Sequence, residues 1–374
     1  MRGMIKSLSS TQAFFLTVIP GLETAAYLEL CEKMRQASAF FSEDQSEIRI
    51  IKGGVEFKAP LQEALQLNRF LKVPTRILLR VLEFEALNEK IFRQEIKKIQ
   101  WKDYFQKGMT FDLGWSSRSS RLSMKKQVIE IFEEELKPLG VKFEKGGTTI
   151  YVRLFRDKCN ISFDTTGERS QFRGGGKKVS VASLRESTAA GLLRVLLQGL
   201  EEEYILIDPM CGSGTFLTEA LSLKEPMKRK FEYQTFPAVT REKSSEILIE
   251  NSVGGLKKVY GFDNHEKAVE LSKNNLSKFK SEKWSVEKKD LYKDSYTFEK
   301  DCKKVVILNP PWGKRLPASS KDFVSYVDKK IRPDRLGILI PAHWMFNAGS
   351  MEKVRDIPIL NSGVENRFIL FARS

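Results

Sequence analysis

The chain has 374 residues, 41% of them apolar, and carries 63 Lys and Arg against 48 Asp and Glu, a net charge of +15. An apolar fraction of this size excludes global disorder, and the length predicts two domains at the usual ~100–200 residues each. Residues 1–183 hold 31 basic against 22 acidic groups and the remainder 32 against 26, balances of +9 and +6, so a polyanionic partner is expected to touch both halves.

The N-terminus opens with Arg2, Lys6 and the apolar run Ala13 to Ile19. That run is short, lacks a small-residue cleavage site and leads into a helical pattern, so it is read as a first strand rather than a secretion signal. No run approaches the ~20 residues of a membrane span. Cys31, Cys159, Cys211 and Cys302 are scattered without a C-x-x-C, and His265 and His343 are the only histidines. No zinc site is readable, and free thiols suit a reducing, cytoplasmic location.

After the strand at 14–19, Pro20-Gly21 marks a turn and Leu22 to Met34 a helix, with apolar positions at helical spacing. Strands are predicted at 48–51 and 55–59 around a Gly53-Gly54 hairpin signal, then a short helix over 61–67. RILLRVLEFEA, from Arg76, alternates apolar and charged positions as a strand with one wet face, and a helix follows over 89–98. Trp101, Tyr104 and Phe105 then cluster near Lys102 and Lys107.

A strand at 110–115 leads into SSRSSRL and a helix over 123–136, for which Ser123 is a plausible N-cap. Arg118, Arg121, Lys125 and Lys126 gather around this Ser-rich loop and helix start, an arrangement suited to phosphate oxygens and equally to a solvated face. Strands over 148–155 and 158–163 close the first half. The Gly- and charge-rich stretch 164–178, which contains Arg173, marks the domain boundary. The helix LRESTAAGLLRVLLQGL follows.

The most informative stretch is YILIDPMCGSGTFLTEA, residues 204–220. An apolar strand ends on Asp208, turns through Gly212, Ser213 and Gly214, and enters a helix at Thr215. A strand, a tight Gly turn and a helix bring bare backbone N–H groups against a ligand. The phosphate-loop pattern and the full G-x-G-x-x-G are both absent. A second stretch, ILNPPWG over 307–313, repeats the plan with Asn309 and two prolines after an apolar strand. Between them, strands end on Asp263 and near Asp290. Both stretches sit at carboxyl ends of presumed parallel strands, where open α/β sheets bind ligands. Residues 224–250 interrupt this rhythm, and strands at 305–308, 336–340 and 367–371 complete it.

On these residues the C-terminal half resembles the class I, S-adenosylmethionine-dependent RNA methyltransferases. DPMCGSGTFLTEA is similar to their first motif and NPPWGKRL to the NPPYGERL form of their fourth. The N-terminal half resembles the THUMP module of RNA-modifying enzymes, with RILLRVLEF, IQWKDY, SSRSSRL and ISFDTTGE in the order of bacterial guanine-N2 methyltransferases that carry it. The likeness runs from FFLTVIPGLE onward and is weakest over 222–256.

The resemblance implies an α/β fold: a Rossmann-like methyltransferase domain on a mostly parallel seven-stranded sheet over 179–374, preceded by an α+β ferredoxin-like and THUMP RNA-binding module over 1–168, the THUMP part spanning roughly 45–157. It implies S-adenosylmethionine as cofactor and no metal. Asp208, Gly212 and Gly214 would line its methionine end, Asp263 would meet the ribose hydroxyls and Asp290 the adenine, with Met210, Thr215, Asn264 and Leu291 also among the cofactor-binding residues. Asn309, Pro310, Pro311 and Trp312 would hold the target base, with Asn309 also against the cofactor. The helix beginning near Arg185–Thr188 would cover the cofactor. Arg118, Arg121, Lys125, Lys126 and Arg173 would contact RNA. Trp312 departs from the family's usual Tyr or Phe, and lacks a phenol hydroxyl.

The expected reaction is methylation of guanine N2 in 23S rRNA. A tRNA guanine-N2 enzyme, a DNA adenine-N6 enzyme and an inactive RNA-binding assembly factor are the alternatives, because Asn-Pro-Pro-aromatic fits any conjugated amine.

Overall fold

The computed structural model describes residues 11–37, 47–174, 184–241, 255–299, 301–311, 323–345, 349–361 and 363–373. In chain order the strands are β1 Thr11–Thr17, β2 Arg49–Ile51, β3 Gly54–Pro60, β4 Arg76–Glu85, β5 Thr110–Arg118, β6 Lys142–Phe143, β7 Thr148–Phe155, β8 Lys158–Asp164, β9 Tyr204–Asp208, β10 Leu256–Asp263, β11 Trp284–Lys288, β12 Lys303–Leu308, β13 Arg335–Pro341, β14 Glu352–Asn361 and β15 Val364–Ala372. The helices are α1 Glu23–Gln36, α2 Leu61–Gln66, α3 Glu89–Ile96, α4 Lys125–Leu136, α5 Glu186–Leu197, α6 Thr215–Ser222, α7 Pro237–Arg241, α8 Glu266–Leu276 and α9 Phe323–Lys330.

The chain forms two compact units. The first comprises residues 1–17, 30–173 and 227–250, the second 18–29, 174–226 and 251–374. These are discontinuous, whereas the sequence suggests a single cut near 164–178. The reason is hydrogen bonding and packing by the stretch after α6. Met227 N–H donates to Arg69 O at 2.7 Å and Tyr233 N–H to Thr165 O at 3.0 Å, while Phe236 packs edge-on against Tyr104 and Phe163. A run that reads as a polar excursion therefore belongs to the first unit.

The first unit is built on an eight-stranded sheet ordered β2-β3-β1-β4-β8-β7-β5-β6. Its strands are half-buried: in β7, TTIYVRLF, every second residue is buried and the others face outward, as period-two patterning requires. The buried side is aromatic, with Phe92, Phe105, Phe111, Phe132 and Phe163 among the largest fully enclosed side chains. Trp101 and Phe105 belong to this core, and Tyr104 stacks on Phe163 at 4.0 Å. Ser123 is not the N-cap of α4. Met124 takes that position with no side-chain bond.

The second unit holds a seven-stranded sheet ordered β11-β10-β9-β12-β13-β15-β14. β9 to β13 run parallel and the β14–β15 hairpin is antiparallel. Every residue of β9 is buried, which is why YILID reads as a continuous apolar run. Ile205, Ile207, Val306 and Leu308 pack on one side with Phe323, Val324 and Val327 of α9. On the other side, a Cβ on Gly261 would meet Leu217 of α6 and one on Gly337 would meet Leu196 of α5. Helices thus cover both faces of a mostly parallel sheet, a Rossmann-like arrangement.

Candidate functional site

The register of the parallel strands levels their carboxyl ends. Val306 of β12 pairs with Ile207 of β9, so Asn309 stands level with Met210. Gly261 of β10 pairs with Asp208, and Asp263 with Lys288 of β11, so Asp263 reaches the same height with Asp290 two residues beyond its neighbour. Strand order changes direction at β9, flanked by β10 and β12, which is the position where open α/β sheets form a ligand crevice.

The loop after β9 is held by its neighbours rather than by itself. Cys211 N–H donates to Phe262 O at 2.8 Å, Ser272 Oγ to Gly212 O at 2.9 Å and Asn275 Nδ2 to Ser213 O at 2.9 Å. Gly212 and Gly214 adopt φ of 52° and 74°, the left-handed region that favours glycine. A Cβ on Gly214 would lie 2.8 Å from Ser272 Oγ, whereas one on Gly212 would meet nothing within 4 Å. The first glycine is open to a ligand and the second is pressed against α8.

Asp263 joins the first two strand ends: Gly212 N–H donates to its Oδ2 at 3.0 Å and His265 N–H to its Oδ1 at 2.9 Å. Each carboxylate oxygen keeps acceptor capacity for a further donor. Asp290 Oδ1 likewise accepts from Tyr292 N–H at 2.8 Å. Asp208 is buried and accepts from Met210 N–H at 3.1 Å. Burial pushes its carboxyl up to about 8, with the Asp263 charge adding to the rise and the Met210 bond opposing it. Burial also pushes the Cys211 thiol up, which leaves it inert as a nucleophile.

Asn309 follows β12 directly. Its side-chain oxygen is buried and accepts no hydrogen bond among the described residues. Pro310 is buried and Pro311 exposed. Trp312 lies outside the described residues. Met210 packs on the apolar cluster that contains Leu291, Thr215 is the buried first residue of α6, and Asn264 is exposed after Asp263. Ser187 and Thr188, in the first turn of α5, each bury a hydroxyl without a partner among the described residues. Ser272 and Asn275 were not legible as site residues, although their spacing of three on the helix after Asp263 places them on one face.

The basic residues expected at a nucleic-acid contact lie in the first unit. Arg118 ends β5, Arg121 follows it, and Lys125 and Lys126 open α4; all four are exposed. Arg173 is engaged with backbone: its guanidinium donates to Ser170 O at 2.7 Å and Lys72 O at 2.9 Å. Among the described residues no group of His, Cys, Asp and Glu could hold a metal ion. No described helix is long and apolar enough to cross a membrane.

Among curated proteins, the ribosomal RNA large subunit methyltransferase K/L of Vibrio cholerae is 26% identical over 293 residues, covering 72% of this chain and 41% of that protein. The chain therefore spans less than half the length of this relative. Among solved structures, SMU.472 complexed with SAH superposes with a TM-score of 0.74 at 21% identity, covering 97% of this chain and 98% of that one. TrmN from Thermus thermophilus gives 0.69 at 16% identity, over 98% and 100%. At such identities the structures establish a shared fold over the whole chain. The Gly turn and the Asn-Pro-Pro strand end both fall in the part that matches a known family: residues 173–323 match the model of UPF0020, described as the RMKL-like methyltransferase domain.

Proposed function

We propose that the chain transfers a methyl group from S-adenosylmethionine to the exocyclic N2 amine of a guanine in large-subunit ribosomal RNA. The observation that carries this reading is the buried oxygen of Asn309 at the end of β12, level with the Gly turn, which has no donor among the described residues. A buried carbonyl oxygen left without a donor costs ~1–3 kcal/mol, and a substrate amine would supply that donor. The family match, the ribosomal RNA enzyme among the relatives and the net charge of +15 support the choice of cofactor and of RNA.

The cofactor supplies an electrophilic methyl on sulfur, and the chain's own residues do the rest. An exocyclic amine is a weak nucleophile because its lone pair is conjugated into the ring. Asn309 Oδ1 and the Pro310 carbonyl accept its two N–H groups, favour a nitrogen moving toward tetrahedral geometry and stabilise its developing positive charge. The prolines fix the carbonyl direction and Trp312 would set the plane of the base, so orientation carries much of the effect. No prior deprotonation is required, since the methylated nitrogen is acidic enough to lose its proton afterwards. The 1–168 segment would be the THUMP-type RNA-binding module. Transfer of labelled methyl to RNA, followed by mass spectrometry of nucleosides from wild-type and deletion-strain RNA, tests the assignment. Label in adenine, in tRNA only, or in no nucleoside would each overturn it.

Two predictions concern the cofactor pocket. Asp263→Ala is expected to lose about 1.5–3 kcal/mol of affinity for S-adenosylhomocysteine in a calorimetric titration, the range for hydrogen bonds to a charged group. Unchanged affinity would remove Asp263 from the ribose.

The second uses Asp208. Its folded carboxyl titrates near 8 against an ordinary 3.8, so the protonated form stabilises the free protein. That contribution is fully present below about pH 4 and is lost as pH rises through about 8. A ligand ammonium placed beside it would lower its pKa, and binding at pH 7 should release close to one proton. Titrations in buffers of different ionisation enthalpy measure this release, which should vanish in Asp208→Asn. Buffer-independent heats in the wild type would separate Asp208 from the methionine end.

A further inference from the structure

Among the described residues, one side of the first unit's sheet carries exposed side chains where β5, β7 and β8 meet the tip of the β7–β8 hairpin: Ser116, Arg118, Arg153, Phe155 and Lys158. Along β7, Tyr151, Arg153 and Phe155 alternate with buried Ile150, Val152 and Leu154. The register sets Ser116 and Arg118 of β5 beside Arg153 and Phe155 on one flank. Asn160 and Lys158 of β8 stand beside the same two residues on the other. Neighbouring strands are ~4.8 Å apart, so cross-strand neighbours share one surface. Phe155 is 45% exposed, and the Arg156 guanidinium carbon sits 5.3 Å from its ring centroid.

The tip beyond Phe155 is locked in an unusual conformation. Arg156 and Asp157 adopt φ of 50° and 62°, a pair of left-handed residues that hairpin turns usually assign to Asn and Gly. The loop after β5 holds them there. Arg156 N–H donates to Arg118 O at 3.1 Å, Arg121 N–H to Asp157 Oδ1 at 2.7 Å, and Asp157 N–H to Ser120 Oγ at 3.0 Å. This stitching fixes an exposed aromatic ring within a border of Arg118, Arg121, Arg153, Arg156 and Lys158. On the far side, β4 presents Glu83 and Glu85, paired with Asn160 and Lys158. These carboxylates repel a polyanion, so the cationic track is confined to β5, β7 and β8.

We infer that this sheet surface is a platform for single-stranded RNA, on which Phe155 stacks one base while Arg118, Arg153 and Lys158 take the flanking phosphates. A positive groove with an aromatic ring is the recurring chemistry of single-strand binding, because every base has a π-face and every nucleotide a phosphate. A duplex keeps its bases stacked internally and offers none to Phe155. The platform deepens the RNA-methyltransferase reading and rests on it for the choice of RNA. It adds Arg153, Phe155, Arg156 and Lys158 to the residues legible in the sequence.

The test is fluorescence anisotropy of the full chain with a labelled single-stranded 12-nucleotide RNA of mixed sequence, repeated with a hairpin duplex. Phe155→Ala should weaken single-strand binding roughly 5- to 150-fold, the range for loss of one stacked base, with the salt slope unchanged. Phe155→Trp should bind at least as well as wild type. Arg153→Ala with Lys158→Ala should flatten the salt slope by about 0.7 per lost contact. Binding of S-adenosylhomocysteine should be untouched in all three variants, which also reports that they are folded. Equal single-strand affinity in Phe155→Ala and wild type overturns the platform, as does equal weakening on the duplex. Failure here with normal methyl transfer to RNA leaves the enzymatic reading intact. Phe155-dependent RNA binding with no methyl transfer leaves the platform and overturns the reaction.

Discussion

Asn309→Ala is expected to lower single-turnover methyl transfer by about a hundredfold or more while cofactor and RNA still bind within a few-fold. The side-chain oxygen of Asn309 is buried and lacks a hydrogen-bond donor among the described residues, so in the free protein it contributes nothing that removal would cost. Its interaction is made with the reacting amine and strengthens as positive charge develops on nitrogen, which places the loss in turnover rather than in binding. Removing one preorganised partner of a developing charge costs on the order of 10²–10³ in rate, by analogy with oxyanion-hole donors. Asn309→Asp keeps an acceptor and adds negative charge, so it should retain more activity than the alanine variant. Rates are measured at saturating cofactor and RNA, with a thermal melt to check folding. A near-normal rate in Asn309→Ala would mean that the Asn-Pro-Pro turn only shapes the pocket.

The strand ends and turns of the candidate site were legible in the sequence because each has a local signature. A parallel strand covered on both sides reads as an apolar run, and YILID and KKVVIL do so. The turn after Asp208 needs left-handed φ at residues 212 and 214, and glycine occupies both. What the sequence could not supply was satisfaction of hydrogen bonds. It placed Asp263 at a strand end but not its grip on the Gly212 and His265 amides, and it placed Asn309 but not the lack of a donor to its oxygen among the described residues.

Besides the short β6 and the helix α9, a strand and a stretch of the fold were missed for physical reasons. β14, EKVRDIPILN, alternates charges with apolar residues and contains Pro358, which argues against a central strand. It lies at the end of the sheet order, paired to β15, where a proline leaves no ladder bond unmade. Its outer side is met by the turn after β1, since Leu360 N–H donates to Pro20 O at 3.1 Å. The other miss is the membership of 227–241. Its buried aromatics Phe231, Tyr233 and Phe236 are spaced irregularly, and their partners lie far away in the sequence.

Those distant partners make Phe163 the position where substitution should damage the first unit most. Its fully buried ring stacks on Tyr104 at 4.0 Å and meets Trp101 at 6.0 Å, Phe105 at 5.9 Å and Phe236 at 6.2 Å. Truncation removes a large apolar surface and leaves a cavity that four rigid rings cannot close, so Phe163→Ala should cost about 3–5 kcal/mol. Each edge or stacked aromatic contact adds ~0.5–1.5 kcal/mol beyond area burial, which pushes the loss toward the upper end. The neighbouring residue raises the stakes. Asp164 is buried and pairs with Arg76, and burial pushes its carboxyl up to about 6 despite that pair. If the cavity lets water reach this ion pair, its desolvation eases and the carboxyl should titrate lower in the variant. Phe163→Leu fills part of the space and should lose less than the alanine variant. Urea unfolding followed by near-ultraviolet circular dichroism measures both, since the signal reports the fixed environment of these rings. A loss below about 1 kcal/mol in Phe163→Ala would show that the Trp101, Tyr104 and Phe105 cluster is not the keystone of this core and that the 227–241 stretch is held by its backbone bonds alone.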